Sequence, residues 1–319
     1  MVQIVLSVVA IIVLAALALI LFQIVRTRAI AAEAERLVPV AGQFVEVDGN
    51  RIHYVDRGQG RPILFIHGLG AQLHQFFGPL FPELDGFRLV AIDRPGSGYS
   101  VRAKGSSGRP TEQARVIAGL IDALKLEKPL VVGHSLGGAV ALALALNHPD
   151  RVAGLALLSP HVRHRTEVAP EFAPLHIPSP LRRWAVSHTV AVPTAKKYAD
   201  ATLAYVFDPQ SPPADYMTKG GGSLGLRPAH FYGSSTDVTD ISGDYPALEQ
   251  RYGEIKLPIG ILFGTADKVL DYRANGLDMV GKIPGLDLEL LEGVGHMPQF
   301  AEPKRTADFI RRMAAKAFG

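Results

Sequence analysis

An α/β fold built on a mainly parallel sheet is what this sequence predicts. Two patterns predict it. Beyond Ala41 short apolar runs alternate with longer amphipathic stretches, and most of the short runs are apolar throughout, as strands buried on both faces are. A third observation concerns architecture: nearly a hundred residues, 161–254, separate two of these strands, far more than a simple crossover takes, so an inserted cap is expected. The length of 319 residues suits one such domain with an insertion. Its 48% hydrophobic content is enough to bury a large core.

The chain opens on a different kind of element. From Val2 to Val25 no side chain is charged, and Ile4 to Phe22 is almost wholly Ile, Val, Leu and Ala, broken by Ser7. About 20 such residues in a helix span the roughly 30 Å hydrocarbon core of a bilayer, so a transmembrane anchor over residues 1–28 is expected. A cleaved signal peptide is the competing reading. It needs a basic leader and an apolar core of only about 7 to 15 residues, although Ala29-Ile30-Ala31 is a passable cleavage site. Arg26 and Arg28 follow the apolar run directly, and the positive-inside rule then puts the rest of the chain in the cytoplasm. Residues 29–42 read as a linker, helical from Ala29 to Val40.

The core is expected over residues 43–160 and 255–319. Gln43 to Val47 and Arg51 to Arg57 form a leading hairpin joined at Asp48-Gly49-Asn50. Buried strands follow at Pro62 to His67, Phe87 to Ile92, Pro129 to Gly133, Val152 to Leu158, Pro258 to Gly264 and Leu286 to Leu291. Helices are expected at Gln75 to Leu84, Thr111 to Leu124, Leu136 to Asn147, Tyr272 to Lys282 and Lys304 to Ala317. The insertion is rich in proline, contains Gly220-Gly221-Gly222, and carries Phe172, Leu175, Leu181, Trp184, Tyr198, Tyr205, Phe207, Tyr216 and Phe231. These are expected to form its own small core or line a pocket.

Composition removes several function classes. The net charge is +3, but Lys and Arg are scattered with no basic run, which argues against a nucleic-acid partner. No cysteine is present, so disulfides, thiolate catalysis and Cys-ligated metals are excluded, and Ser, Asp, Glu and His chemistry remains.

The strongest local signal is Gly133-His134-Ser135-Leu136-Gly137-Gly138, set between an apolar strand and an Ala/Leu-rich helix. A nucleophilic serine on a sharp strand-to-helix turn needs glycine two residues before and two after, where side chains would collide. The helix that follows directs N–H groups and its positive dipole end at the reaction site. Serine needs a base, and Gly293-Val294-Gly295-His296-Met297-Pro298, just after the last strand, offers His296. An acid that orients the base is expected after the preceding strand, where Asp267 stands, with Asp271 a rival whose other reading is a helix N-terminus. The position after Leu158 reads Ser159-Pro160 and has no carboxylate. His67-Gly68-Leu69-Gly70 ends an early strand, and the N–H groups of Leu69 and Leu136 are expected to bind an oxyanion. Asp93-Arg94-Pro95-Gly96-Ser97-Gly98-Tyr99-Ser100 lacks the lysine of a phosphate-binding loop and reads as a structural turn.

HGLG, DRPGSGYS, GHSLGG, GTADKVLD and GVGHMP, in this order and spacing, resemble the α/β-hydrolase superfamily over about Gln43 to Phe318. The resemblance implies an eight-stranded, mostly parallel sheet with helices on both faces and a helical lid, no cofactor, and an acyl-enzyme intermediate. Ser135 stands where haloalkane dehalogenases and epoxide hydrolases carry Asp, which excludes their mechanisms. Membrane-anchored monoacylglycerol lipases and bacterial carboxylesterases are similar in architecture. The expected substrate is therefore a small-molecule ester with an apolar acyl or alcohol part. A carbon–carbon bond hydrolase and a cofactor-free haloperoxidase or perhydrolase share the same triad. From another class, a catalytically silent binding protein on this scaffold remains an alternative.

Overall fold

The computed structural model describes residues 1–163 and 170–319; residues 164–169, inside the expected insertion, lie outside the described residues. Eight strands form one sheet: β1 (Gln43–Val47), β2 (Asn50–Arg57), β3 (Arg61–Ile66), β4 (Phe87–Ile92), β5 (Leu130–His134), β6 (Gly154–Leu158), β7 (Ile259–Gly264) and β8 (Asp287–Leu291). Their order is β1-β2-β4-β3-β5-β6-β7-β8. The leading hairpin pairs antiparallel with itself and with β4, and every later pairing is parallel. This is the eight-stranded, mostly parallel α/β sheet that the sequence leads one to expect.

Among the described residues eleven α-helical segments accompany the sheet: α1 (Val2–Leu37), α2 (His74–Phe77), α3 (Pro110–Ala123), α4 (Leu136–Asn147), α5 (Pro180–Val186), α6 (Val192–Phe207), α7 (Pro228–Asp240), α8 (Tyr245–Arg251), α9 (Tyr272–Asn275), α10 (Pro298–Ala301) and α11 (Pro303–Phe318). Side chains alternate across the strands and so divide the core in two. In β3, Leu64 and Ile66 join α3 and α4 on one face, while Ile63 and Phe65 meet Phe309, Ile310 and Met313 of α11 on the other. Helix α4 is buried from Leu136 to Leu146, which is why its sequence is apolar all round.

Two expected helices are shorter than their sequence patterns suggest. Gln75 to Leu84 resolves into the one-turn α2 and a 3₁₀ turn at Phe81–Glu83, because Pro79 and Pro82 remove N–H donors and collide with the preceding turn. Tyr272 to Lys282 likewise becomes α9 and a 3₁₀ turn at Leu277–Met279 after Gly276. At the N-terminus the expected span and helical linker are one uninterrupted helix, since nothing between Val25 and Leu37 breaks it.

Between β6 and β7 lie α5, α6, α7 and α8. A five-residue π-helical segment, Ser187–Ala191, joins α5 to α6 without a break. Phe207 and Tyr216 pack with Met297 and Phe300, tying this insertion to the loop after β8. Leu181, Trp184 and Tyr198 depart from the small-core expectation and stand exposed.

Candidate functional site

Strands β3 and β5 are hydrogen-bonded neighbours, Ile66 opposite Gly133, so the loops that leave their carboxyl ends meet. Chain order reverses direction between these strands, and ligands of open α/β sheets bind outside such a switch point. Ser135 sits in this crevice as the residue before α4, with φ 51° and ψ −120°, a conformation costly for a residue with a Cβ. Its neighbours must be small. A Cβ on Gly133 would come 2.6 Å from Gly137 O, and one on Gly138 would come 2.5 Å from Pro160 Cβ. The turn is held from both sides, by the Ser135 N–H to Leu158 O (3.1 Å) and by the His161 N–H to Ser135 O (2.9 Å).

Asp267 and His296 come from the loops after the paired strands β7 and β8. His296 Nδ1 and Asp267 Oδ2 are 2.7 Å apart, and both side chains are almost wholly buried. Asp267 Oδ1 accepts the N–H groups of Val269 (2.8 Å) and Leu270 (2.9 Å), which fixes the carboxylate and leaves Oδ2 for the histidine. With Nδ1–H donating to Asp267, Nε2 is the free basic nitrogen. Asp271, the rival acid, instead accepts the Arg273 N–H (2.9 Å) as the N-cap of α9.

The residue before Ser135 joins the two halves. His134 Nε2–H donates to His296 O (2.9 Å), and the two rings lie 4.8 Å apart. Burial, reinforced by His296 beside it, lowers the His134 pKa well below the ordinary value, so it stays neutral. From the insertion, Gln210 accepts the Gly295 N–H (2.9 Å) and donates to Gly293 O (2.8 Å), clamping the loop that carries His296.

The HGLG loop lies directly over the serine, close enough that a Cβ on Gly68 would be 3.0 Å from Ser135 Cβ. Leu69 and Leu136 pack in one small cluster with Ala139, Ile241 and Tyr245. Arg94, fully buried, orients this loop: its Nε donates to His67 O (2.9 Å) and its Nη2 to Gly68 O (2.9 Å). In a trans peptide the C=O of residue 68 and the N–H of residue 69 point to opposite sides. Holding Gly68 O therefore sets the direction of the Leu69 N–H. His67 adds a second donor to the same oxygen, Nδ1–H to Gly68 O at 2.8 Å, while its Nε2 accepts the Arg94 N–H (2.9 Å). Burial and the neighbouring Arg94 charge push the His67 pKa down to about 3, which keeps this tautomer uncharged.

Arg94 is in turn held by Gln113 Oε1 of α3 (2.7 Å) and by Asp237 Oδ2 of α7 (2.7 Å), and Asp237 also binds Arg102. The segment read as a turn is thus a structural turn that also braces the HGLG loop. Among the described residues, no group of three or more His, Cys, Asp or Glu side chains is placed to hold a metal ion.

Comparison with known proteins shows the family. The model of the alpha/beta hydrolase fold family matches residues 61–303, and the chain belongs to that family. It is 28% identical over 274 residues, 82% of this chain and 91% of the relative, to a 2-hydroxy-6-oxononadienedioate/2-hydroxy-6-oxononatrienedioate hydrolase of Burkholderia vietnamiensis. A bacterial membrane phospholipase A superposes over 100% of both chains with a TM-score of 0.70 at 22% identity. An esterase of Thermogutta terrifontis superposes over 86% of this chain and 99% of its own with a TM-score of 0.69 at 21% identity. The chain is an enzyme, a hydrolase of this fold.

Proposed function

We propose that this hydrolase cleaves carboxylic esters with apolar acyl or alcohol parts, using Ser135 as nucleophile, His296 as base and Asp267 as the acid that orients the base. The observation that carries this reading is the buried Asp267–His296 pair at 2.7 Å, on a loop bonded to the residue next to Ser135. His296 Nε2 takes the Ser135 proton as Oγ bonds to the ester carbon, and the N–H groups of Leu69 and Leu136 receive the oxyanion. The C–O bond then breaks, and the alcohol leaves with the proton from His296. Water, deprotonated by the same nitrogen, attacks the acyl-enzyme and releases the acid while Ser135 regains its proton. Residues 161–254 serve as the lid, and 43–160 with 255–319 as the catalytic core.

The N-terminal helix is read as a single membrane span, with the catalytic domain on the cytoplasmic side. Support comes from its length and from an 18-residue window of mean hydropathy 3.3 that is 0% buried. A chain-length series of nitrophenyl esters tests the activity, together with fluorophosphonate labelling. Turnover that rises with acyl length, and an adduct at Ser135, are expected; an unlabelled serine and no ester turnover would remove the proposal.

A second reading is favoured by one observation, the 28% identity over 82% of the chain to a hydrolase of 2-hydroxy-6-oxo dienedioates. The same triad and oxyanion donors would then serve carbon–carbon bond cleavage. Turnover of such a dienedioate, with nitrophenyl esters inert, would select it.

A further inference from the structure

We propose that the leading end of the insertion, the turn of α5 that carries Leu181 and Trp184, is a second membrane contact, seated among the headgroups of a phospholipid bilayer beside α1. The inference rests on the reading of α1 as a membrane span.

Residues 2–22 of α1 are exposed on every face, and at about 1.5 Å per residue they cover roughly 31 Å, the thickness of the hydrocarbon layer. From Gln23 onward one stripe of the same helix is covered: Gln23, Ile24, Thr27, Ile30, Ala31, Ala34 and Val38, spaced three and four apart. The folded body therefore begins at the height where the span ends. It is the insertion that meets the helix there, with Thr27 Oγ1 donating to Thr189 O (2.6 Å).

The direction of the insertion's helix follows from this contact. Residues 180–207 run continuously through α5, the π-helical segment and α6. Helix α6 packs on α1, and the covered part of α1 starts at Gln23, so α6 rises from Thr27 away from the span. The attraction of Lys196 for the Glu33 carboxylate fits this direction, seven residues past Thr189 and six past Thr27. Helix α5 must then descend. Trp184 and Leu181, five and eight residues before Thr189, come to about the level of Phe22 and Leu19, roughly 7 to 12 Å toward the membrane.

What is exposed at that depth suits the headgroup layer. Leu181 is 76% exposed and Trp184 55% exposed, and with His188 they occupy one helical face, the Trp184 and His188 rings 4.8 Å apart. Tryptophan is enriched at the membrane–water boundary, where an apolar ring carries one polar N–H. The exposed Arg182 beside them has the reach to place its charge among phosphates.

Trp184 is the sole tryptophan of the chain, so the full-length protein reports on itself. It is reconstituted into phosphatidylcholine vesicles, and its emission is followed with lipids brominated near the headgroup end of the acyl chains and, separately, with acrylamide in the water. The expected result is a blue-shifted emission quenched severalfold more by the brominated lipid than by acrylamide. Protein that floats with the vesicles but keeps a water-like emission, quenched by acrylamide alone, overturns the inference while leaving the span intact. Blue-shifted emission indifferent to brominated lipid also overturns it and points to contact with a second copy of the chain. Failure to float with the vesicles overturns the span and the inference together.

Discussion

Two buried histidine–aspartate pairs lie at the same end of this sheet, and only one belongs to the candidate active site. His53 with Asp93 and His296 with Asp267 have the same Nδ1 to Oδ2 separation, 2.7 Å. Their surroundings differ. Asp93 also accepts the N–H groups of Leu73 and Tyr99, each at 2.8 Å, so it joins strand β2 to two separate loops. Burial opposes its charge, but His53 and the neighbouring N–H group of Tyr99 hold its pKa below the usual carboxylate value. His53 Nε2 is buried with no hydrogen-bond partner among the described residues. Asp267 accepts the N–H groups of its own turn besides binding His296, and the loop of His296 is bonded to the residue before Ser135. The two pairs thus share one geometry and differ in what their loops are bonded to: the Asp93 pair ties β2 to two loops, and the Asp267 pair lies on a loop bonded to the residue next to Ser135.

The sharpest separation of the two pairs starts from Ser135→Ala, which should lower kcat about a millionfold and abolish fluorophosphonate labelling. Asp267→Asn should cost about ten-thousandfold in kcat with little change in thermal midpoint, because the histidine loses its orientation. Asp93→Asn should do the reverse, keeping kcat of the folded protein within about tenfold but destabilising it by about 3 to 5 kcal/mol, as breaking a buried pair does. Equal kcat losses for the two asparagine variants at unchanged stability would break the comparison.

Arg94, the neighbour of Asp93, links the clamp to the site through Gly68 O. Arg94→Met should lower kcat about a hundred- to a thousandfold while KM moves only a few-fold, the signature of a lost oxyanion donor. A parallel rise in KM would assign Arg94 to substrate binding instead.

A pH effect follows from histidines that fold uncharged. His67 is pushed down to about 3 and His230 to about 4 by burial, with Arg94 also acting on His67, and His134 is lowered well below its ordinary value. Each has a folded pKa below its unfolded value of 6.5 and takes up a proton on unfolding. Stability is therefore full above about pH 6.5 and falls as the pH drops toward 4, by up to about 1.4 kcal/mol per pH unit for each histidine. Urea unfolding from pH 7 to 4.5 measures the slope, and a flat profile would show that these rings are charged in the folded state. The smallest expected effect is Glu35→Gln, which removes the partner of Arg227 on a half-exposed carboxylate and should change stability by less than about 1 kcal/mol.

Much of this molecule was legible because its signals are local. Three consecutive apolar residues of β5, Leu130 to Val132, then Gly133-x-Ser135-x-Gly137, encode strand, turn and helix within a dozen positions. Asp267 and His296 were legible from their places after β7 and β8. Arg94 and Asp237 were not, since their contact joins residues 143 apart and neither shows a periodicity that announces a partner. His53 carried no signal either, because a histidine inside a strand has no pattern that distinguishes a clamp from an ordinary surface residue.

What the sequence by itself determined is the chemistry available: a serine forced into a strained turn by flanking glycines, a late histidine, a carboxylate one strand earlier, no thiol, and an apolar N-terminal helix. These follow from steric and periodic constraints between near neighbours in the chain. The tertiary structure decided which aspartate meets His296, how Arg94 aims the peptide before Leu69, and where the insertion sits along α1. Those outcomes depend on burial, because a charge or a peptide group removed from water must find its partner wherever the folded chain brings one.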